Sequence, residues 1–181
     1  MKKIYILLTR TKTVIARLIH GVTGDMYTHA SIALDGELNE LYSFARRNLY
    51  LPLISGFIRE DIYSGVFARN PDAPCALYEY KVSDEEYAAL KTHIKDMADH
   101  FGMYKYNIVG LAAGIFGIPC ERKHHFTCSQ FVAHILKEHC SVKFNKNINL
   151  VKPADFSDIP EFNEIYSGKL KYVKLYNKFS G

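Results

Sequence analysis

The chain has 181 residues, 48% hydrophobic and 23% charged, with a formal net charge of +4. That length and balance suit one folded domain, residues 1–181, and argue against a disordered, fibrous or disulfide-stapled chain. The charge is modest, and Lys169, Lys171, Lys174 and Lys178 alternate with apolar residues as on the solvated face of an edge strand, so no nucleic-acid partner is expected.

The opening MKKIYILLTRTK carries paired lysines, but its apolar run from Ile4 to Leu8 is too short for a secretory signal and reads as a buried strand. No stretch has the length of a spanning helix, so no stable membrane insertion and a cytoplasmic location are expected. Cys75, Cys120, Cys128 and Cys140 form no CxxC pair and are read as free thiols.

After the first strand, Val14, Ile15, Leu18 and Ile19 share one face of a short helix that glycines stop. THASIAL and ELNELYSFA flank Asp35-Gly36, the signature of a two-residue hairpin turn. From Arg46 to Asn70, Pro52, Gly56 and Gly65 interrupt the apolar pattern, which predicts loops and short strands. CALYEYKV, residues 75–82, is the next strand. Ser83 and Glu86 then form a capping box ahead of Tyr87, Leu90, Ile94, Met97 and Phe101 at helical spacing.

YKYNIVGLAAGIFGIP predicts a mostly buried helix, and residues 128–138 another, with Phe131, Val132, Ile135 and Leu136 inward. The segment from Pro153 to Pro160 reads as a loop and KLKYVKLY as a closing strand. Helices and strands mix without regular βαβ alternation, which predicts an α+β fold with an antiparallel sheet packed against helices.

HHFTCSQFVAHIL places Cys128 where a polar turn becomes an apolar helix. A thiol there sits at the positive end of the helix dipole, beside unpaired amides that favour the thiolate and can hold an oxyanion. A nucleophilic cysteine also needs a base and often a third group to orient it.

CSQFV entering a helix, with His29 opening a strand far upstream in THASIAL, resembles the circularly permuted papain-like amidases of the NlpC type, the YiiX-like group in particular. Lecithin:retinol acyltransferase-like proteins share the order of histidine before cysteine. The resemblance spans residues 29–45, Tyr104 to Leu111, and 126–136. It implies a permuted papain-like core with Cys128 as nucleophile and His29 as base, cleaving an amide or ester through a thioacyl-enzyme, with no cofactor and no metal. The substrate would be a small molecule, a peptide or an acylated compound; an acceptor amine or alcohol would make the site an acyltransferase.

The family draws the orienting group from the strand beside the histidine. A two-residue turn at Asp35-Gly36 would set Tyr42 opposite His29 with Glu40 diagonal to it, and a three-residue loop would bring Ser43 there instead. Tyr42, Glu40 and Ser43 are therefore the candidates, in that order. Two other readings stand beside the enzyme: a papain-like module that binds a lipid or peptide tail without catalysis, and an interaction protein held by zinc on Cys120, His124, His125 and Cys128, whose spacing lacks a CxxC knuckle. The sequence leaves the oligomeric state open.

Overall fold

A computed structural model describes residues 1–11, 21, 24–46 and 55–174. The helix expected around Val14–Ile19 lies outside the described residues, as does Lys178.

The apolar run after Lys3 becomes β1 (Lys2–Thr9), which lies inside the sheet and is covered on both faces: Ile4, Ile6 and Leu8 face one side and Leu7 the other, all fully buried. Around it run β2 (His29–Ala33), β3 (Leu41–Arg46), β4 (Ser55–Glu60), β5 (Pro74–Val82), β6 (Lys105–Tyr106), β7 (His125–Phe126) and β8 (Asn163–Lys169). They form one sheet in the order β7-β6-β4-β3-β2-β1-β5-β8, antiparallel at every junction except β6 with β7. The helices are α1 (Gly65–Ala68), α2 (Asp84–Asp99), α3 (Ile108–Ile115) and α4 (Cys128–His139). The expected α+β mixture is present, and no helix among the described residues is long and apolar enough to cross a membrane.

The helix over 84–99 starts where the capping box places it, with Ser83 Oγ accepting from Glu86 N and Glu86 Oε2 accepting from Ser83 N. Helix α4 drives Phe131, Val132, Ile135 and Leu136 against the sheet, where they are fully buried with Ala30, Ile32 and Phe44. On the opposite face, Leu7, Ala33, Leu41 and Leu77 pack with Phe67 of α1 and with Leu38, Ile62, Leu170 and Val173. Burial of side chains this size is the main stabilising term, at roughly 1.5–3 kcal/mol each.

Three local expectations are corrected, and a fourth, loops and short strands between Arg46 and Asn70, is met by β4 with a short helix added. The Asp35-Gly36 turn is longer than two residues: Leu34 N donates to Glu40 O, and the Asp35 carboxylate accepts from the backbone N–H of Asn39 and Glu40. That carboxylate closes a loop over 35–39 and turns Leu38 to φ +57° with its side chain in the core. Ile32 consequently pairs with Tyr42 and Ala33 with Leu41. The region from Arg46 to Asn70 contains a regular six-residue strand, β4, and a short helix, α1, with residues 47–54 outside the description.

The segment 104–119 divides into β6 and α3, because Asn107 caps the helix by accepting from Gly110 N at 2.9 Å. A Cβ on Gly110 would meet the Asn107 side chain at 2.2 Å, so the cap requires glycine there. Far from being mostly buried, α3 leaves Ile108, Val109 and Ile115 exposed. At the C-terminal end the strand is β8, ahead of KLKYVKLY. Leu170 and Val173, three residues apart and both fully buried, belong to a helical turn beginning at Leu170.

Candidate active site

Thr127 opens α4 with a capping box: its side chain accepts from Gln130 N at 3.2 Å, and Gln130 Oε1 accepts from Thr127 N at 2.9 Å. Cys128 is thereby the first helical residue, with the Ser129 amide beside its sulfur. Further bonds hold this helix start in place. Ser129 Oγ donates to Val151 O at 2.5 Å, Gln130 Nε2 to Asn149 O at 3.0 Å, and Asn107 Nδ2 to Gln130 Oε1 at 3.2 Å and Cys120 O at 3.1 Å. Asn107 and Gln130 are buried, so this polar network ties α3, α4 and the 149–151 segment together.

The structure brings His29 to Cys128. Strands β2 and β3 pair only at Ile32–Tyr42 and Ala33–Leu41, and the start of β2 meets the start of α4. The thiol and imidazole are hydrogen-bonded, and the Ala30 and Ser129 amides also donate to the sulfur. The other side of the ring faces a carboxylate: His29 Nε2 lies 3.0 Å from Glu60 Oε1 and 3.3 Å from Oε2. The side chains of His29 and Glu60 are 13% and 9% exposed, which makes this a buried ion pair rather than a surface one. Ser31 donates to Glu60 Oε2 and lies 3.2 Å from His29 Nε2, while the Phe67 ring packs edge-on against the imidazole.

The carboxylate that holds the imidazole is Glu60, which was not among the candidates Tyr42, Glu40 and Ser43. It sits at the end of β4, two strands from His29, and reaches it across β3. The residues in that path are the small Ser31 and Ser43, which leave room for a carboxylate. Ser43 is fully buried, and its hydroxyl favours the charged carboxylate without closing to a hydrogen bond. Tyr42 is turned to the helix side, stacked on Phe57 with its ring centroid 5.8 Å away. Glu40 is drawn off by Lys91 at 2.9 Å. Neither touches the imidazole, because the longer hairpin loop shifts the register on which both were placed.

Burial alone would neutralise all three groups, but their mutual contacts outweigh it. Burial opposes the imidazolium; the Glu60 charge and the bonds to Cys128 and Glu60 overcome this and hold His29 well above its ordinary value. Burial likewise opposes the thiolate, and the hydrogen bond and charge of His29, with the two backbone amides, still bring Cys128 below the usual thiol range. Glu60, also penalised by burial, is lowered by the charge and hydrogen bond of His29 and by the serines. Cys75 and Cys140, with no such partners, are pushed by burial to about 12. The arrangement therefore selects one of these thiols for ionisation.

A second residue, read from sequence as one of several core aromatics and not as a partner of the sulfur, is Tyr106 on β6. Its buried hydroxyl bonds to the Cys128 sulfur, and burial together with the sulfur's charge holds the phenol protonated. A phenol in that position donates to a thiolate or to an oxygen carrying charge beside it. Its sequence signal is slight, one aromatic of several between Tyr104 and Phe131. Tyr106→Phe keeps the volume and removes the donor, so the thiol should titrate higher by a few tenths to one pH unit, with the melting curve nearly unchanged; a pH series of alkylation rates reads this.

The sulfur and Tyr106 open onto a cleft of about 270 Å³. Gly110, Leu111, Gly114 and Ile115 of α3 form one wall and Asn149–Pro153 the other. Among the described residues no three or more His, Cys, Asp and Glu side chains are grouped to hold a metal ion. His124 packs edge-on to Tyr104 and His125 Nδ1 contacts Lys123 O, away from the zinc arrangement. Models of known protein families give no match to this chain, and comparison with curated proteins finds no relative.

Proposed function

We propose that the protein is a cysteine hydrolase of circularly permuted papain-like architecture, acting by acyl transfer on an amide or ester whose acyl part is apolar. The observation that carries this reading is the relay of sulfur, imidazole and carboxylate, with a cleft open at the sulfur. A thiolate poised on helix amides, an imidazolium beside it and a buried carboxylate behind it are what thiol acyl transfer requires.

The thiolate attacks the carbonyl carbon, and the carbonyl oxygen takes up the negative charge beside the Tyr106 hydroxyl and the Ser129 amide. Collapse expels the amine or alcohol, which takes its proton from His29 and leaves a thioester on Cys128. His29, now neutral, removes a proton from water; the resulting hydroxide adds to the thioester, the acid departs, and the thiolate and imidazolium are restored. An amine or alcohol replacing that water would make the product an amide or ester. The apolar α3 wall supports an aliphatic acyl group, and the free thiols suit a reducing compartment such as the cytoplasm.

Incubation with a p-nitrophenyl acyl ester, in a Cys120→Ser background, tests the reading. The expected result is a burst of nitrophenolate and one hydroxylamine-labile acyl group on the peptide carrying Cys128, absent from Cys128→Ala. An acyl group spread over the other cysteines, or none, overturns it.

A further inference from the structure

Helix α3 has a composition unlike that of an ordinary surface helix. From Ile108 to Pro119 no side chain carries a charge or a hydrogen-bonding group. Gly110 is buried, and Leu111, Ala113 and Gly114 are half-buried, whereas Ile108, Val109, Ala112, Ile115 and Phe116 are exposed. Those positions recur at one, four, seven and eight residues from Ile108 and so form one stripe along the helix. Phe116 is 79% exposed and Ile118, just beyond the helix, 58%. Phe101 and Met103, ahead of β6, extend the apolar surface.

The stripe is bordered by cations. Lys105 precedes the Asn107 cap, and Arg122 and Lys123 come beside it, because β7 pairs with β6 and Asn107 binds Cys120 O. All three are exposed, and among the described residues none has an acidic partner; Glu121 is the acidic residue within this border, and Asp99 lies before Phe101. Gly110, Leu111, Gly114 and Ile115 of the same helix line the cleft to Cys128.

We infer that α3 is a docking element for an anionic lipid surface, which seats its aliphatic stripe among the acyl chains, its cations on the headgroups and the mouth of the cleft at the interface. Pairing with a second copy about a two-fold axis would bring like cations together. The cations at the border of the stripe would meet anionic headgroups while its apolar side chains enter the acyl region. As a statement about substrate delivery this rests on the acyl-transfer reading; as a statement about binding it does not.

The experiment is co-sedimentation of the full chain with vesicles of phosphatidylcholine alone and of phosphatidylcholine with an equal part of phosphatidylglycerol, alongside Cys128 acylation by a soluble ester. Binding to the anionic vesicles is expected, weakened by salt and reduced at least about tenfold in Val109→Ser with Phe116→Ser and in Arg122→Glu with Lys123→Glu, while soluble acylation is retained. No binding, or binding unchanged in both double variants, overturns the inference. So does a dimer in solution that the Val109→Ser, Phe116→Ser variant converts to monomer, which would assign the face to a second copy. Docking without acylation removes only the hydrolase; acylation without docking removes only this inference.

Discussion

Replacing His29 by alanine should abolish acylation of Cys128 and slow its alkylation at pH 6 by at least about tenfold. The sulfur is largely buried at the cleft, and the imidazolium and two backbone amides, with the Tyr106 hydroxyl beside them, counter the cost of charging it there. Without the ring, burial governs, and the thiol should shift toward the behaviour of Cys75 and Cys140, which burial pushes to about 12. The loss of thiolate exceeds the gain in nucleophilicity of a more basic sulfur, because the latter recovers only about half of each tenfold. Alkylation rates from pH 5 to 10, with the modified peptide identified, measure the shift. A His29→Ala protein that alkylates Cys128 at the parental rate at pH 6 would separate the sulfur from the imidazole.

Glu60→Gln should lower turnover of the acyl ester by about a hundredfold to ten-thousandfold while the protein remains folded. The glutamate accepts from His29 Nε2 and so fixes the ring beside the sulfur and supports its charge. A glutamine amide donates to Nε2 instead and reverses the tautomer, and it also removes the charge that holds the ring protonated. Stability should respond with a definite sign. His29 is raised in the fold, so its contribution is present below its ordinary pKa and lost as pH rises through the raised value. Glu60 is lowered, so its contribution is present above the ordinary carboxylate pKa and lost as pH falls through the lowered value. The pair thus supports the fold most between those limits, and the melting temperature of Glu60→Gln should fall furthest from the parent there. Glu40→Gln is the control: its partner is the half-exposed Lys91, and turnover should hold.

The sequence made some of this site legible and hid the rest for reasons visible in the geometry. Cys128 could be singled out because helix starts have local marks, and Thr127 with Gln130 supplies them. His29 opens a strand, a position that alternation reveals. Glu60 escaped because the hairpin argument looks one strand away, whereas this carboxylate crosses β3 past Ser31 and Ser43. The register went astray at Asp35, whose side chain satisfies two backbone amides and so replaces a tight turn by a wider loop. An exposed α3 could not be read from apolarity, since a helix without polar residues has the same pattern whether it faces a core or a surface that wants covering. At the C-terminal end, alternation of lysines with apolar residues imitated a strand, while Leu170 and Val173 followed the spacing of a helical turn.

The order of the three groups along the chain gives the protein a built-in delay. A ribosome releases the imidazole of His29 and the carboxylate of Glu60 well before it adds the sulfur of Cys128. The sulfur lacks the imidazole and the carboxylate behind it until the fold brings the start of its helix to β2 and β4. On the proposed reading the reactive pair therefore depends on contacts between residues far apart in the chain, and an unfolded chain carries no such thiolate.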